Sequence, residues 1–253
     1  MPTPLPLDPA DFTARFDAAA RTAGFVAEQF GAIHGHPLLA YTKSSAPAAT
    51  TAPTIYVSTG MHGDEPAPPW ALLRMVESGL FDARARWHLC PLLNPTGFLH
   101  GTRENFAGVD LNRDYKHPTT AEVTAHVAWL RRQPSYLAAF CLHEDYEATG
   151  FYLYELNPDN RPSLADVILA AAAQHLPIER AAIIDGREAT APGIIRPVND
   201  PLLREDWPEA IYLRHHHTTL GYTFETPSPL PLEARIAALA AALREALESL
   251  LGA

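Results

Sequence analysis

An α/β fold is what this 253-residue sequence predicts. Short β-branched or apolar runs alternate with stretches of helical periodicity, and no internal repeat or long linker breaks the alternation. Three of the apolar runs end at or just before a histidine or a glutamate. That placement bears on function, because open α/β sheets bind ligands in the crevice beyond the carboxyl ends of their strands.

In chain order, residues 11–22 read as a helix. The runs "FVAEQFGAI" and "PLLAYTK" flank "HGH" as two strands around a tight turn, and "SSAPAATTAPT" is a loop. The β-branched run "TIYVSTG" ends at glycine and delivers the chain into "MHGDE". Pro66, Pro68 and Pro69 are tolerable only in a first helical turn, so the helix carrying Leu72, Leu73 and Val76 begins close to Glu65. The next strand is "RWHLCPLLN". Thr119 with Glu122 forms a capping box for a helix whose Val123, Val127 and Leu130 share one face, and "YLAAFCLHE" returns as a buried strand. A helix from Ser163 carries Leu164, Val167, Ile168 and Ala171. A Pro- and Gly-rich loop region follows, from about Gly186 to Pro208, and then the short strand "GYTFET". The last helix sets Leu232, Ile236, Leu239, Leu243, Leu247 and Leu250 on one stripe, which is expected to pack on the sheet.

Composition removes several function classes. A formal charge of −10 argues against a nucleic-acid partner, whose phosphates call for a basic face. No run approaches the ~20 apolar residues of a membrane span. The N-terminal "MPTPLPLDPADF" has neither the basic nor the apolar region of a secretory signal, so a cytoplasmic protein is expected. Cys90 and Cys141 lie inside apolar runs and are too few for a disulfide scaffold; they read as buried free thiols.

The chemistry-bearing residues fall at equivalent places on the predicted sheet. His62 and Glu65 follow one strand, His143 ends another and Glu225 ends a third. Two imidazoles and a carboxylate supply three ligands for a tetrahedral zinc and leave a fourth position open, the arrangement of a catalytic site. At a loop-to-helix junction a three-residue spacing can bring His62 and Glu65 round to one ion, with Gly60 and Gly63 allowing the bend. Alone, the same pair is also what a helix cap looks like. The consecutive His215, His216 and His217 point in different directions and are not assigned to a metal. Glu144 and Asp145, beside His143, either tune the site or are merely solvated, and solvation is the commoner case for such residues.

Between the proposed ligands runs "NPTGFLHGTRENFAGVDLNRDY". The ordered set "GMHGDE", "NPTG", "TREN", "GVDLNRDY", "LHED" and "TFET" resembles the zinc carboxypeptidases of the carboxypeptidase A type. The nearest flavour is the small bacterial branch that includes murein peptide amidases, and succinylglutamate desuccinylase and aspartoacylase are related. The resemblance implies a single catalytic domain over residues 1–253, built on a mixed, mostly parallel sheet flanked by helices. It implies one zinc per chain held by His62, Glu65 and His143, with Glu225 as general base and Arg103 stabilising the oxyanion. Asn112 and Arg113 would bind the substrate's free carboxylate, and Asp110 would steady the His62 ring. The family also places a tyrosine over the substrate; Tyr212 and Tyr222 are the candidates. Arg187 and Arg196 stand in the loop region expected to wall the specificity pocket, where either could receive an acidic side chain, though a place on the surface is the commoner one for each.

The expected function is zinc-dependent exopeptidase action on small peptides, cell-wall peptides included. An N-acyl amino acid deacylase of the aspartoacylase or desuccinylase kind is the alternative, and a non-catalytic binding module on the same fold is the third reading. A small peptide or acyl amino acid is the expected partner, and the sequence leaves the oligomeric state open.

Overall fold

The computed structural model describes residues 7–44 and 52–252, so most of the loop "SSAPAATTAPT" lies outside the described residues. The chain opens with helix α1 (Pro9–Thr22), capped by the Asp8 side chain, which accepts the Ala10 and Asp11 N–H groups. Strands β1 (Val26–Ile33) and β2 (His36–Lys43) follow as a hairpin. Its two-residue turn is His34 and Gly35, both at positive φ, as a type I′ turn demands.

Next come β3 (Thr54–Ser58), α2 (Ala67–Glu77), β4 (Arg86–Cys90), α3 (Pro95–His100), α4 (Ala121–Leu130) and β5 (Ala138–Asp145). After them run β6 (Tyr152–Leu156), α5 (Ala165–Ala172), β7 (Ile183–Ile184), β8 (Arg187–Glu188) and β9 (Ile194–Ile195). The chain finishes with α6 (Glu209–His216), β10 (Gly221–Pro227) and α7 (Leu232–Leu251). The predicted elements all appear where they fall on described residues; β6, α3 and α6 were not among them, nor were the short strands β7, β8 and β9, of which the last two lie in the region read as loop.

Eight strands form one sheet in the order β1-β2-β4-β3-β5-β10-β6-β9, and β7-β8 make a separate small hairpin. The centre is parallel (β4-β3-β5-β10), β1-β2, β2-β4 and β10-β6 are antiparallel and β6-β9 is again parallel, which is the mixed, mostly parallel sheet that was expected. After β3 the chain crosses to β4 on one side, while β5 lies on the other. The switch in direction opens a crevice above the carboxyl ends of β3 and β5.

Side chains alternate along these strands, and the two faces bury different cores. Leu142 and Phe140 join Val57, Phe224 and Leu153 under α1, α2, α5 and α7, where Ile236, Leu239, Leu243 and Leu247 form the predicted stripe of α7. Cys141 and Ala139 join Tyr56 and Cys90 on the opposite face, under Val123, Val127 and Leu130 of α4 and Tyr212 of α6. A small third cluster of Ala148, Tyr152, Ile184 and Ile195 seats the β7-β8 hairpin beside β6. Both cysteines are free and buried, as expected. No helix among the described residues is long and apolar enough to cross a membrane.

Two local expectations need correction. The cap of α4 is Thr120, whose hydroxyl accepts the Val123 N–H; Thr119 instead donates to Asp114. Glu122 does not reach back as a capping-box partner but accepts a hydrogen bond from Asn105 at 3.1 Å. In α5, Val167 is exposed and Ile168 with Ala172 faces the core. The stripe is rotated by about one residue from its sequence reading, because α7 sets which side is covered.

Candidate metal centre

The loop from β3 to α2 carries His62 and Glu65, and its backbone is fixed by close packing. Gly60 adopts φ +68°, a conformation open to glycine. Gly63 is needed for a different reason: a Cβ there would lie 1.9 Å from the carbonyl carbon of Gly97. Gly97 belongs to "NPTG", in which the Asn94 side chain caps α3 by accepting the Gly97 N–H at 2.9 Å. The Gly63 N–H in turn donates to the Thr102 carbonyl at 2.9 Å. "GMHGDE" and "NPTG" are therefore one packed backbone unit, and it presents His62 and Glu65 to the end of β5.

The convergence predicted from sequence is present. His62, Glu65 and His143 are all buried, and one ligand atom from each lies within 4.8 Å of the others. Glu65 Oε1 is 2.5 Å from His62 Nδ1, and Oε2 is 2.9 Å from His143 Nδ1. The far nitrogen of His62, Nε2, donates to Asp110 Oδ1 at 3.2 Å, which leaves Nδ1 to face inward as a donor atom. Arg103 completes the group: its Nε donates to Asp110 Oδ2 at 3.0 Å and its Nη1 lies 3.2 Å from His62 Nδ1 and 3.6 Å from Glu65 Oε1.

The electrostatics follow from this geometry. Burial pushes the Glu65 carboxyl up, but the charges and hydrogen bonds of the two imidazoles outweigh it and bring the pKa down to about 2. Burial lowers His62, and the Glu65 charge with the hydrogen bonds to Asp110 and Glu65 raises it to about 9. The centre thus draws positive charge into a buried place. Two imidazole nitrogens and one carboxylate are the donor set of a divalent cation with a position left open, so the residues present fit a metal.

Glu225 lies beside this group because β10 runs parallel to β5 with Glu225 in register with His143. It keeps partial exposure. Burial, opposed by His143 and reinforced by Glu65, Asp145 and Asp185, holds its carboxyl well above the usual carboxylate range. Asn112 and Arg113 sit on a short 3-10 turn, Leu111–Arg113, whose start is capped by the Asp110 side chain. Asn112 Oδ1 accepts the Glu209 N–H at 2.9 Å, so one amide both starts α6 and is held in place by it. Arg113 is exposed, with Nη1 on the Asn112 carbonyl at 2.9 Å.

Several site-adjacent residues were misread or missed from sequence. Tyr222 is buried in the core, with its hydroxyl on Glu155 at 2.8 Å and accepting the Leu164 N–H at 2.8 Å. Tyr212 is buried in the second core. The tyrosines beside Glu225 are instead on β6: Tyr152 pairs directly with Glu225 and donates to Asp145 at 2.9 Å, while Tyr154 donates to Asp185 in the hairpin turn. The period-two alternation in "FYLYEL" was the cue that could have found them. Arg196 is bound to Glu155 at 2.6 Å and lies away from the site. Arg187 is exposed on β8; burial, and after it the charges of Arg187 and Arg113, lower the pKa of Arg204. Glu144 is not solvated but 4% exposed, with both oxygens engaged on the other face of β5.

With this geometry in hand, comparison with known proteins places the chain. A model of the succinylglutamate desuccinylase/aspartoacylase catalytic domain matches residues 51–183. The chain belongs to this family. The matched stretch contains His62, Glu65, Arg103, Asn112, Arg113 and His143, and Glu225 lies beyond it. No curated protein matches the sequence. Among solved structures, a candidate metallopeptidase of Shewanella amazonensis is 27% identical with a TM-score of 0.82, covering 95% of this chain and 92% of that one. Another, from Shewanella denitrificans, is 25% identical with a TM-score of 0.81, covering 95% and 89%. A metallo-carboxypeptidase of Pseudomonas aeruginosa, in complex with (2-guanidinoethylmercapto)succinic acid, shares the fold at 18% identity and a TM-score of 0.66, covering 94% of this chain and 68% of that one. The expected kinship with the desuccinylase/aspartoacylase group is thereby met, and the fold is shared with carboxypeptidases.

Proposed function

We propose that this chain is a zinc-dependent hydrolase that cleaves the amide bond next to a free carboxylate in a small substrate. The observation that carries the reading is the convergence of His62, Glu65 and His143, with Glu225 in register beside them. His62 Nδ1, the Glu65 carboxylate and His143 Nδ1 would hold one zinc, which when bound lowers the pKa of water to near 7 and polarises a carbonyl. Glu225 takes a proton from the attacking water and returns it to the leaving nitrogen. Arg103, anchored by Asp110, faces the charge that develops on the carbonyl oxygen. Asp110 fixes the His62 ring through Nε2.

Asn112 and Arg113 receive the free carboxylate, the guanidinium by a bidentate fork that lysine cannot offer. An internal peptide bond carries no carboxylate at that distance, so the action is on a chain end. The whole described chain serves this one catalytic unit, in keeping with a cytoplasmic enzyme acting on small peptides, peptides of cell-wall type included.

A second reading, an N-acyl amino acid deacylase, has a specific observation in its favour. The family model that matches residues 51–183 is that of the succinylglutamate desuccinylase/aspartoacylase catalytic domain, whose members give this reading its support. Metal content of the purified protein, followed by hydrolysis of paired short peptides and N-acyl amino acids, separates the readings. About one zinc per chain with cleavage of free C-terminal peptides supports the exopeptidase. Zinc with cleavage of acyl amino acids alone selects the deacylase, and failure to bind zinc removes both.

A further inference from the structure

On the face of β5 away from His143, the buried carboxylate of Glu144 is committed to two helices. Oε1 accepts the Ala67 N–H at 2.7 Å, the first amide of α2. Pro66, the residue capping α2, makes no side-chain hydrogen bond, so a neighbouring strand supplies the acceptor that this helix end lacks. Oε2 accepts a hydrogen bond from Nη1 of Arg235 in the first turn of α7. Arg235 is 2% exposed, and its Nε donates at 2.9 Å to the Leu230 carbonyl, in the loop that leads out of β10.

One buried ion pair therefore joins the three segments that carry the centre. Ala67 is two residues past Glu65, Glu144 is next to His143, and Pro227, the last residue of β10, is two past Glu225. None of these contacts touches the donor atoms. Removing one partner would leave the other charge buried and uncompensated, so the tie has one favourable arrangement and does not slide.

We infer that Glu144 and Arg235 are positioning residues that set the spacing of Glu65 from His143, an inference that rests on the metal reading given above. A built-in control exists, because the exposed pair Arg74–Glu233, at 2.7 Å, joins the same α2 and α7 without reaching β5.

The test is the zinc dissociation constant of the full chain, measured by competition with a chelator on samples shown to be folded by circular dichroism. Glu144→Gln keeps an acceptor for the Ala67 N–H and loses the charge; Arg235→Met cuts the tie to α7. Both are expected to weaken zinc by about ten- to a hundredfold, the usual effect of losing support behind a ligand. Arg235→Lys, which keeps the charge, recovers part of the loss, and Arg74→Met leaves affinity unchanged. Where Arg235→Met does not fold, the near-isosteric Glu144→Gln carries the test by itself. Variants that melt earlier yet keep the native zinc affinity would overturn the inference, as would an equal loss in Arg74→Met. Native protein that binds no zinc would overturn the metal reading and this inference with it, whereas native binding with unaffected variants would sink this inference alone.

Discussion

Two carboxylates, Glu65 and Glu209, are buried on the same side of the sheet, 4% and 1% exposed, and they differ in what surrounds them. Glu209, at the start of α6, is met by hydroxyl donors: Tyr56 at 2.6 Å and Ser58 at 2.7 Å. The Tyr56 hydroxyl also lies 3.0 Å from His126 Nε2, and Tyr115 holds the other ring nitrogen at 2.7 Å. This network closes on itself. Glu65 is met by two imidazole Nδ1 atoms and by Arg103, with no hydroxyl among these partners. Burial alone does not mark a metal site. What fits a metal is the convergence of two imidazoles and a carboxylate, one ligand atom of each within 4.8 Å of the others.

That contrast is testable. The largest effect is expected beside Glu65: Glu225→Gln should lower turnover by about 10²- to 10⁴-fold, as loss of a general base does, while zinc content stays native. Zinc falling with Glu225→Gln and staying with His143→Ala would break the assignment. On the Glu209 side, Tyr56→Phe removes a donor to a buried carboxyl and should cost about 1–3 kcal/mol in urea unfolding, with zinc affinity unchanged. A zinc loss in that variant would merge the two regions into one.

Asp110→Asn comes next. It disturbs the partner of His62 Nε2 and should weaken zinc by about ten- to a hundredfold with little loss of fold stability. The smallest effect is in pH. Burial, helped by the charge of His217, lowers His126 from 6.5 to about 3, so the folded protein keeps this imidazole neutral while the unfolded chain protonates it below 6.5. Its contribution is complete above the unfolded pKa and is lost as pH falls toward 3. Between pH 6.5 and pH 5 the loss is about 2 kcal/mol at 1.36 kcal/mol per unit. Urea midpoints should therefore fall more steeply in the native chain than in His126→Gln over that interval; parallel lines would show that His126 is not held neutral.

Much of the site was readable before any coordinates. Three strand ends bearing His62, His143 and Glu225 follow from runs such as "TIYVS", "AAFCLHE" and "GYTFET", because a fully buried strand must be apolar and must stop where polar chemistry starts. Gly60 and Gly63 were readable as a bend, though only the contact of Gly63 with Gly97 explains the second glycine. Other residues were beyond reach. Glu144 looked solvated because a lone carboxylate usually is, and its burial depends on an arginine 91 positions away. Tyr212 and Tyr222 were candidates to cover the substrate only by order along the chain, which left that role open because it carries no information on which face of a strand or helix meets the crevice.

The sequence by itself determined the alternation of elements, the glycine-permitted turns and the identity of the donor groups, since local periodicity and side-chain chemistry are written residue by residue. The tertiary structure decided the rest. Strand order brought β10 against β5, the register put Glu225 opposite His143, and packing set Tyr152 beside Glu225 while burying Tyr212 and Tyr222 in the cores. These are matters of which distant segments share a face, and a chain specifies that only through the burial of its whole core at once.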